Sequence, residues 1–427
     1  MRHEFASDKS WITFGGKETH VVMTHPPEIA PPSLADKISR KLWRLDGRSL
    51  CERARHRSGL DEFGDPPIEP PLSILTKSLE QDANLHPLGR FLMRVHLLTV
   101  LESRLRLAAA WKAGAGGLTR PIERPVFITG MPRSGSTFLH ELLSQDPANR
   151  SPKVWEVMFP VPAPEADIGD GDPRVRRTNA CLWWFRRLVR GADEVYPLRA
   201  CMPHECVAIH SFTLMSEEFV STCHIPDYEK FLRTGGMRAA YAWQKRFLQH
   251  LQSRCPSKQW ILKSPDHLHY LEDLFAVFPD ALVIQTHRNP IEVLSSSLQL
   301  TKALRGLFGR PDTTGRLMDR ESRVLAEMME RSMHFRDGHP ALAARFMDLS
   351  YADLVSDPLA AVSRIYEHLD CPLTQATILQ MRQFIVGRSR YRRRNHSSLA
   401  DHGLDVRAEM RRFQNYCRRF GVPMQPA

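Results

Sequence analysis

The chain has 427 residues, 42% hydrophobic and 25% charged, with 59 Lys and Arg against 48 Asp and Glu for a formal charge of +11. These are the proportions of a globular chain able to bury a large core; eight cysteines at irregular spacings, with no C-x-x-C, exclude a disulfide scaffold. No apolar run approaches the roughly 20 residues needed to span a bilayer, so no transmembrane segment is expected. The basic excess suggests an anionic partner without choosing among nucleotide phosphates, nucleic acid, acidic sugars and a lipid surface. Met1-Arg2-His3-Glu4-Phe5 lacks the basic-then-apolar pattern of a secretory signal, so the expected setting is soluble, reducing and cytoplasmic.

Residues 1–35 are rich in Pro and polar side chains and read as irregular. From 33 to 112 the pattern is helical: Leu92, Val95, Leu98, Leu101 and Leu105 recur at steps of three and four. Ala113-Gly114-Ala115-Gly116-Gly117 ends it. Pro125-Val126-Phe127-Ile128-Thr129 is then a short β-prone run, and Ser136 to Ser144 is an amphipathic helix. Residues 160–175 look like an excursion, and 176–255 read as an inserted, mainly helical acceptor-side region. Trp260-Ile261-Leu262 and the run 281–286 are buried-strand candidates, and 344–349 is a weaker one. Strands alternating with helices predict an α/β fold, a P-loop-like parallel sheet flanked by helices, preceded by a helical N-terminal region. The expected division is 1–120 for that region and 121–427 for a catalytic domain carrying the 176–255 insertion.

Between the first strand and its helix stands Gly130-Met131-Pro132-Arg133-Ser134-Gly135-Ser136-Thr137. Backbone N–H groups in such a turn converge on a concavity, and the helix N-terminus adds unsatisfied donors and partial positive charge. Gly130 and Gly135 permit turns that a Cβ would obstruct, and Ser134, Ser136 and Thr137 offer hydroxyls. A phosphate is the expected occupant. In a nucleoside-triphosphate loop Lys would stand at Ser136, and an acidic Mg²⁺ ligand would end another strand. Here the cation is Arg133, and the strand at 281–286 runs into His287 and Arg288. A metal-phosphate site is therefore not predicted, and side-chain cations would have to serve the anion instead.

Arg288 at that strand end and Ser296 eight residues later, on the helix begun by Pro290, can close on a second anion. Lys263 ends another strand. Arg388, Arg390, Arg392, Arg393 and Arg394 form the densest basic run. Cys201, His204, Cys206, His210, Cys223 and His224 fit no zinc spacing. Trp183-Trp184-Phe185, flanked by Arg186 and Arg187, is expected to pack in the core, with an acceptor pocket or a membrane surface as the other outcomes.

Pro132-Arg133-Ser134-Gly135-Ser136-Thr137 resembles the 5′-phosphosulfate loop of sulfotransferases that use 3′-phosphoadenosine 5′-phosphosulfate (PAPS). It is nearest to the branch of tyrosylprotein and many bacterial sulfotransferases, with Ser136 where Thr is usual. The resemblance covers roughly residues 50–420. It implies sulfonate transfer from PAPS to an acceptor hydroxyl or amine, with 3′,5′-ADP as product. By it, Arg133 and the 134–137 segment hold the 5′ side, and Arg288 with Ser296 the 3′-phosphate. Lys263 stabilises charge on the sulfonate or bridging oxygen, and Tyr351 and Arg393 (or Arg394) lie near the nucleotide. For the base, Glu156 matches a family Glu after a two-residue gap and ranks first. Behind it come His267, near the strand end that carries a family His, and Glu205. The acceptor, whether small molecule, glycan or lipid, is not readable, nor is the oligomeric state. The rivals are a P-loop kinase or nucleotide hydrolase, a non-catalytic binder of nucleic acid or anionic surfaces through residues 388–394, and the same fold with a dead site. Tyr391 is the one aromatic within that run, so sequence-specific nucleic-acid reading is not expected.

Overall fold

The computed structural model describes residues 33–114, 120–166, 168–189, 197–255, 259–311, 316–389 and 405–424. Four helices come first: α1 (Leu34–Leu42), α2 (Gly47–Ser58), α3 (Pro71–Gln81) and α4 (Pro87–Lys112). Ser33 opens α1 with a capping box through Asp36, and Asp46 caps α2. In α4 the buried row is Met93, Leu97, Leu101 and Leu105, joined by Leu98. Val95, expected on that row, is 44% exposed: the apolar stripe follows four-residue steps from Met93. Arg104, fully buried on α4, donates to the carbonyls of Phe63 (2.9 Å), Gly64 (2.8 Å) and Phe212 (2.8 Å) and lies 4.6 Å from the Trp243 ring centroid. Burial pulls its pKa down to about 10; the carbonyl cage keeps a charged group tolerable inside the core.

Five strands form one parallel sheet in the order β2-β3-β1-β4-β5: β1 (Val126–Gly130), β2 (Asn149–Arg150), β3 (Gln259–Lys263), β4 (Leu282–His287) and β5 (Phe346–Ser350). β1 is buried along its whole length, so it reads as a continuous apolar run. Its side chains alternate between two cores. Phe127, Leu262, Val283 and Phe346 belong to a cluster shared with the N-terminal helices. Val126, Ile128, Ile261, Ile284 and Leu349 belong to a second cluster on the other face.

Between β1 and β3 lie α5 (Ser136–Leu143), α6 (Val154–Met158), α7 (Pro173–Leu188), α8 (Cys206–His210), α9 (Glu217–Thr222), α10 (Pro226–Gly235) and α11 (Arg238–Gln252). After β3 come α12 (Leu271–Val277), then α13 (Pro290–Gly306) and α14 (Arg316–Gly338) beyond β4. α15 (Tyr351–Ser356), α16 (Pro358–Leu369), α17 (Gln375–Ser389), α18 (Val406–Arg412) and α19 (Gln414–Phe420) follow β5. Trp183 and Trp184 on α7 correct the expectation of core packing: they are 46% and 61% exposed. No helix among the described residues is long and apolar enough to cross a membrane. All eight cysteines are free thiols.

Candidate active site at the strand ends

β1 has β3 on one side and β4 on the other, and the chain crosses first to one and then to the other. This is a topological switch point, where the carboxyl ends of neighbouring strands leave a crevice. The turn of 131–135 sits there. Gly130 (φ 141°), Arg133 (φ 68°) and Gly135 (φ 92°) all have positive φ. For Arg133 this is a strained, left-handed conformation costing ~1–2 kcal/mol, of the kind that persists where a site needs it. Ser134, fully buried, donates its hydroxyl to the Met131 carbonyl (2.6 Å) and pairs with Thr286 Oγ1 (2.6 Å). Thr286 in turn donates to the Thr129 carbonyl (3.1 Å). Ser134 is thus a strut joining the loop to β4, its hydroxyl turned inward. Ser136 is buried and Thr137 exposed. α5 begins at Gly135 with no side-chain cap, so no capping side chain occupies its first amides.

Gly130 pairs with Thr286 in the ladder, so the loop and Arg288 emerge from level strand ends. Arg288 Nη1 donates to the Arg133 carbonyl (2.8 Å), and Arg133 Nε donates to Ser296 Oγ (2.9 Å). The Arg288 guanidinium lies 4.1 Å from the centroid of Tyr351, and the Tyr351 ring packs over Gly135. Arg133, Arg288, Ser296 and Tyr351 are therefore brought together. Glu292 binds Arg288 Nε and Nη2 at 3.0 and 2.9 Å, a contact that four-residue spacing foreshadows. Sequence reasoning missed Tyr416, whose hydroxyl accepts from the Arg288 amide and donates to its carbonyl, both at 3.3 Å. No local signal links residues so far apart in the chain.

Lys263, at the end of β3 and buried, donates to Glu205 Oε1 at 2.6 Å. Burial alone would raise the Glu205 carboxyl, but the Lys263 ammonium outweighs it and holds it below the ordinary value. Glu205 is set there by the contact of Lys153 with Pro203 and by the His204 amide donating to the Pro152 carbonyl (2.7 Å).

Glu156, ranked first as base, sits elsewhere. Its Oε2 accepts from the Lys153 amide at 2.8 Å, capping α6, and its Oε1 pairs with Arg150 at 3.0 Å. Arg150 is anchored to the carbonyl of Leu251 (2.9 Å) and stacks on Trp260, back along β3 from Lys263. Both oxygens of Glu156 are thus engaged in buried contacts. His267 is buried behind β1, its Nδ1 hydrogen-bonded to Tyr241 (2.7 Å) and its ring edge-on to Phe127. Burial, helped by His210 and Lys263, lowers its pKa, so it is neutral. Arg393 lies outside the described residues, whereas Arg388 at the end of α17 pairs with Glu141 at 2.8 Å. Among the described residues no three His, Cys, Asp or Glu side chains are grouped as a metal would require.

The model of the Sulfotransferase family matches residues 125–375. Omega-hydroxy-beta-dihydromenaquinone-9 sulfotransferase Stf3 of Mycobacterium bovis, and that of Mycobacterium tuberculosis, are each 26% identical over 284 residues, 63% of this chain and 68% of theirs. The crystal structure of sulfotransferase STF1 from Mycobacterium tuberculosis superposes with a TM-score of 0.78 at 29% identity, covering 87% of this chain and all of that one. That of STF9 from Mycobacterium avium gives a TM-score of 0.80 at 27% identity, covering 90% and 98%. The chain belongs to the sulfotransferase family and is an enzyme that transfers sulfonate groups.

Proposed function

We propose that the donor is PAPS, with its 5′-phosphosulfate over the Gly130–Thr137 loop and its 3′-phosphate between Arg288 and Ser296. One observation carries this reading: Arg133 joins the two anion sites, its carbonyl on Arg288 and its Nε on Ser296. Arriving phosphates would take these donors over, releasing Arg288 from Glu292. Tyr351 closes the site beside the loop. Arg393 is assigned to the same nucleotide on resemblance alone. Residues 121–427 form the transfer unit in this reading, with helices α1–α4 of the expected 1–120 region packed on one face of its sheet.

Glu205, rather than Glu156 or His267, is the proton acceptor we assign, because it is the carboxylate on Lys263. Lys263 and Glu205 neutralise each other in their ion pair. A bound sulfonate draws Lys263 toward its oxygens, and Glu205, losing its partner, becomes more basic. It takes the acceptor hydroxyl proton as the acceptor oxygen bonds to sulfur. The bond from sulfur to the 5′-phosphate oxygen breaks, and 3′,5′-ADP leaves. Arg133 and Lys263 carry the developing charge without a metal step. The acceptor is a hydroxyl on a small lipid-like molecule; in support, the Stf3 relatives are named for a hydroxylated menaquinone.

Calorimetric titration with 3′,5′-ADP, 5′-AMP and ATP tests the donor. Wild type should prefer 3′,5′-ADP, and Arg288→Ala should lose that preference, since a charged hydrogen bond is worth ~1.5–3 kcal/mol, or about ten- to a hundredfold in affinity. Equal affinity for the three nucleotides in wild type would refute it.

A further inference from the structure

The transfer chemistry leaves one face of α7 unused. The helix buries Val175, Thr178 and Leu182, a row at three- and four-residue spacing. Its opposite row, Arg176, Ala180, Trp183, Trp184, Arg187 and Leu188, is exposed. Steps of four and three from 176 to 188 align these six along one side. Trp183, Trp184 and Leu188 are 46%, 61% and 48% exposed. The two indoles stand edge to face at 4.8 Å, and the Arg187 guanidinium lies 4.9 Å from the Trp183 ring centroid.

Charge decides what fits this face. From 173 to 188 the sequence holds Arg174, Arg176, Arg177, Arg186 and Arg187 and no Asp or Glu. Paired indoles exposed among arginines match the headgroup level of a bilayer. There the ring is half in the apolar layer and its N–H is wet, and cations meet anionic lipid. A second copy would set Arg176 and Arg187 against the same residues of its mate, a like-charge contact at a two-fold interface. We propose that α7 docks the enzyme on an anionic membrane surface, with Trp183 and Trp184 at headgroup depth. This stands apart from the identity of the donor and the acceptor.

Co-sedimentation of the full chain with vesicles tests it, using phosphatidylcholine alone and phosphatidylcholine mixed with phosphatidylglycerol. The wild type should bind the mixed vesicles, less so as salt rises. Trp183→Ser/Trp184→Ser should weaken that binding by about tenfold or more, and Arg176→Glu/Arg187→Glu should abolish the preference for anionic lipid. Melting temperatures near wild type would verify that both variants fold. Failure of the wild type to sediment overturns the proposal, as does binding that survives both double variants. A dimer in solution that the Trp double variant dissolves would assign the face to a second copy and overturn it equally.

Discussion

Replacing Gly130 by Ala probes whether the anion loop depends on its closure against β4. A Cβ there would lie 2.3 Å from Thr286 Oγ1, 2.5 Å from the Thr286 carbonyl oxygen and 2.8 Å from Ser134 Oγ. The carbonyl belongs to the backbone facing Gly130 in the sheet and cannot swing aside as a side chain would. The φ of 141° adds strain for an L-residue. Backbone strain of ~1–3 kcal/mol and overpacking of ~1–3 kcal/mol together predict a loss of about 2–6 kcal/mol. Gly421 supplies the control, with φ 61° and nothing within 4 Å of an added Cβ, so its Ala variant carries strain alone, about 1 kcal/mol. Denaturant midpoints measure both, and titration with 3′,5′-ADP reads the loop. Gly130→Ala should also bind the nucleotide about tenfold more weakly or worse, because displacing one loop donor forfeits ~1.5–3 kcal/mol. If Gly130→Ala matches Gly421→Ala in both measurements, the reasoning about the loop is wrong.

Two further substitutions separate chemistry from architecture. Glu205→Gln should lower turnover by about 10²–10⁴ and, by leaving buried Lys263 without its carboxylate, also lower the midpoint, whereas Glu156→Gln should lose ~3 kcal/mol of stability by stripping buried Arg150 of its partner, yet keep turnover. The opposite pattern would return the base to Glu156. Asp266 offers a pH test: burial, then the charge of Glu217, pushes its carboxyl up to about 7. A raised carboxyl favours the fold below its unfolded value, and that contribution fades as pH climbs through about 7. Asp266→Asn should therefore flatten the stability profile between about pH 4 and 7 and gain ~1–3 kcal/mol at the upper end. A variant no more stable than wild type at pH 8 would contradict this.

Much of the site was legible because it is local. A buried strand, a Gly-bounded turn with an Arg and an uncapped helix start are consecutive in 126–143, and Arg288 with Ser296 lie within eight residues. Central parallel strands are buried on both faces, so β1, β3 and β4 announce themselves as apolar runs. β2, only Asn149–Arg150, has no run to read. On α4 the periodicity was visible, but not which of two adjacent apolar rows turned inward, since that is settled by what packs against the helix.

The amino-acid order by itself determined the alternation of elements, the anion loop and the basic strand ends, all set by neighbours within a turn or two. Only the tertiary structure decided which carboxylate meets Lys263. The sequence ranks Glu156 ahead of Glu205, but the pairing of 152–155 with 200–204 delivers Glu205 to Lys263 and buries Glu156 on Arg150. It also left Trp183 and Trp184 facing water, because a helix buries only the stripe its neighbours cover. Contacts between distant segments depend on how whole faces pack, and no short window of residues encodes that.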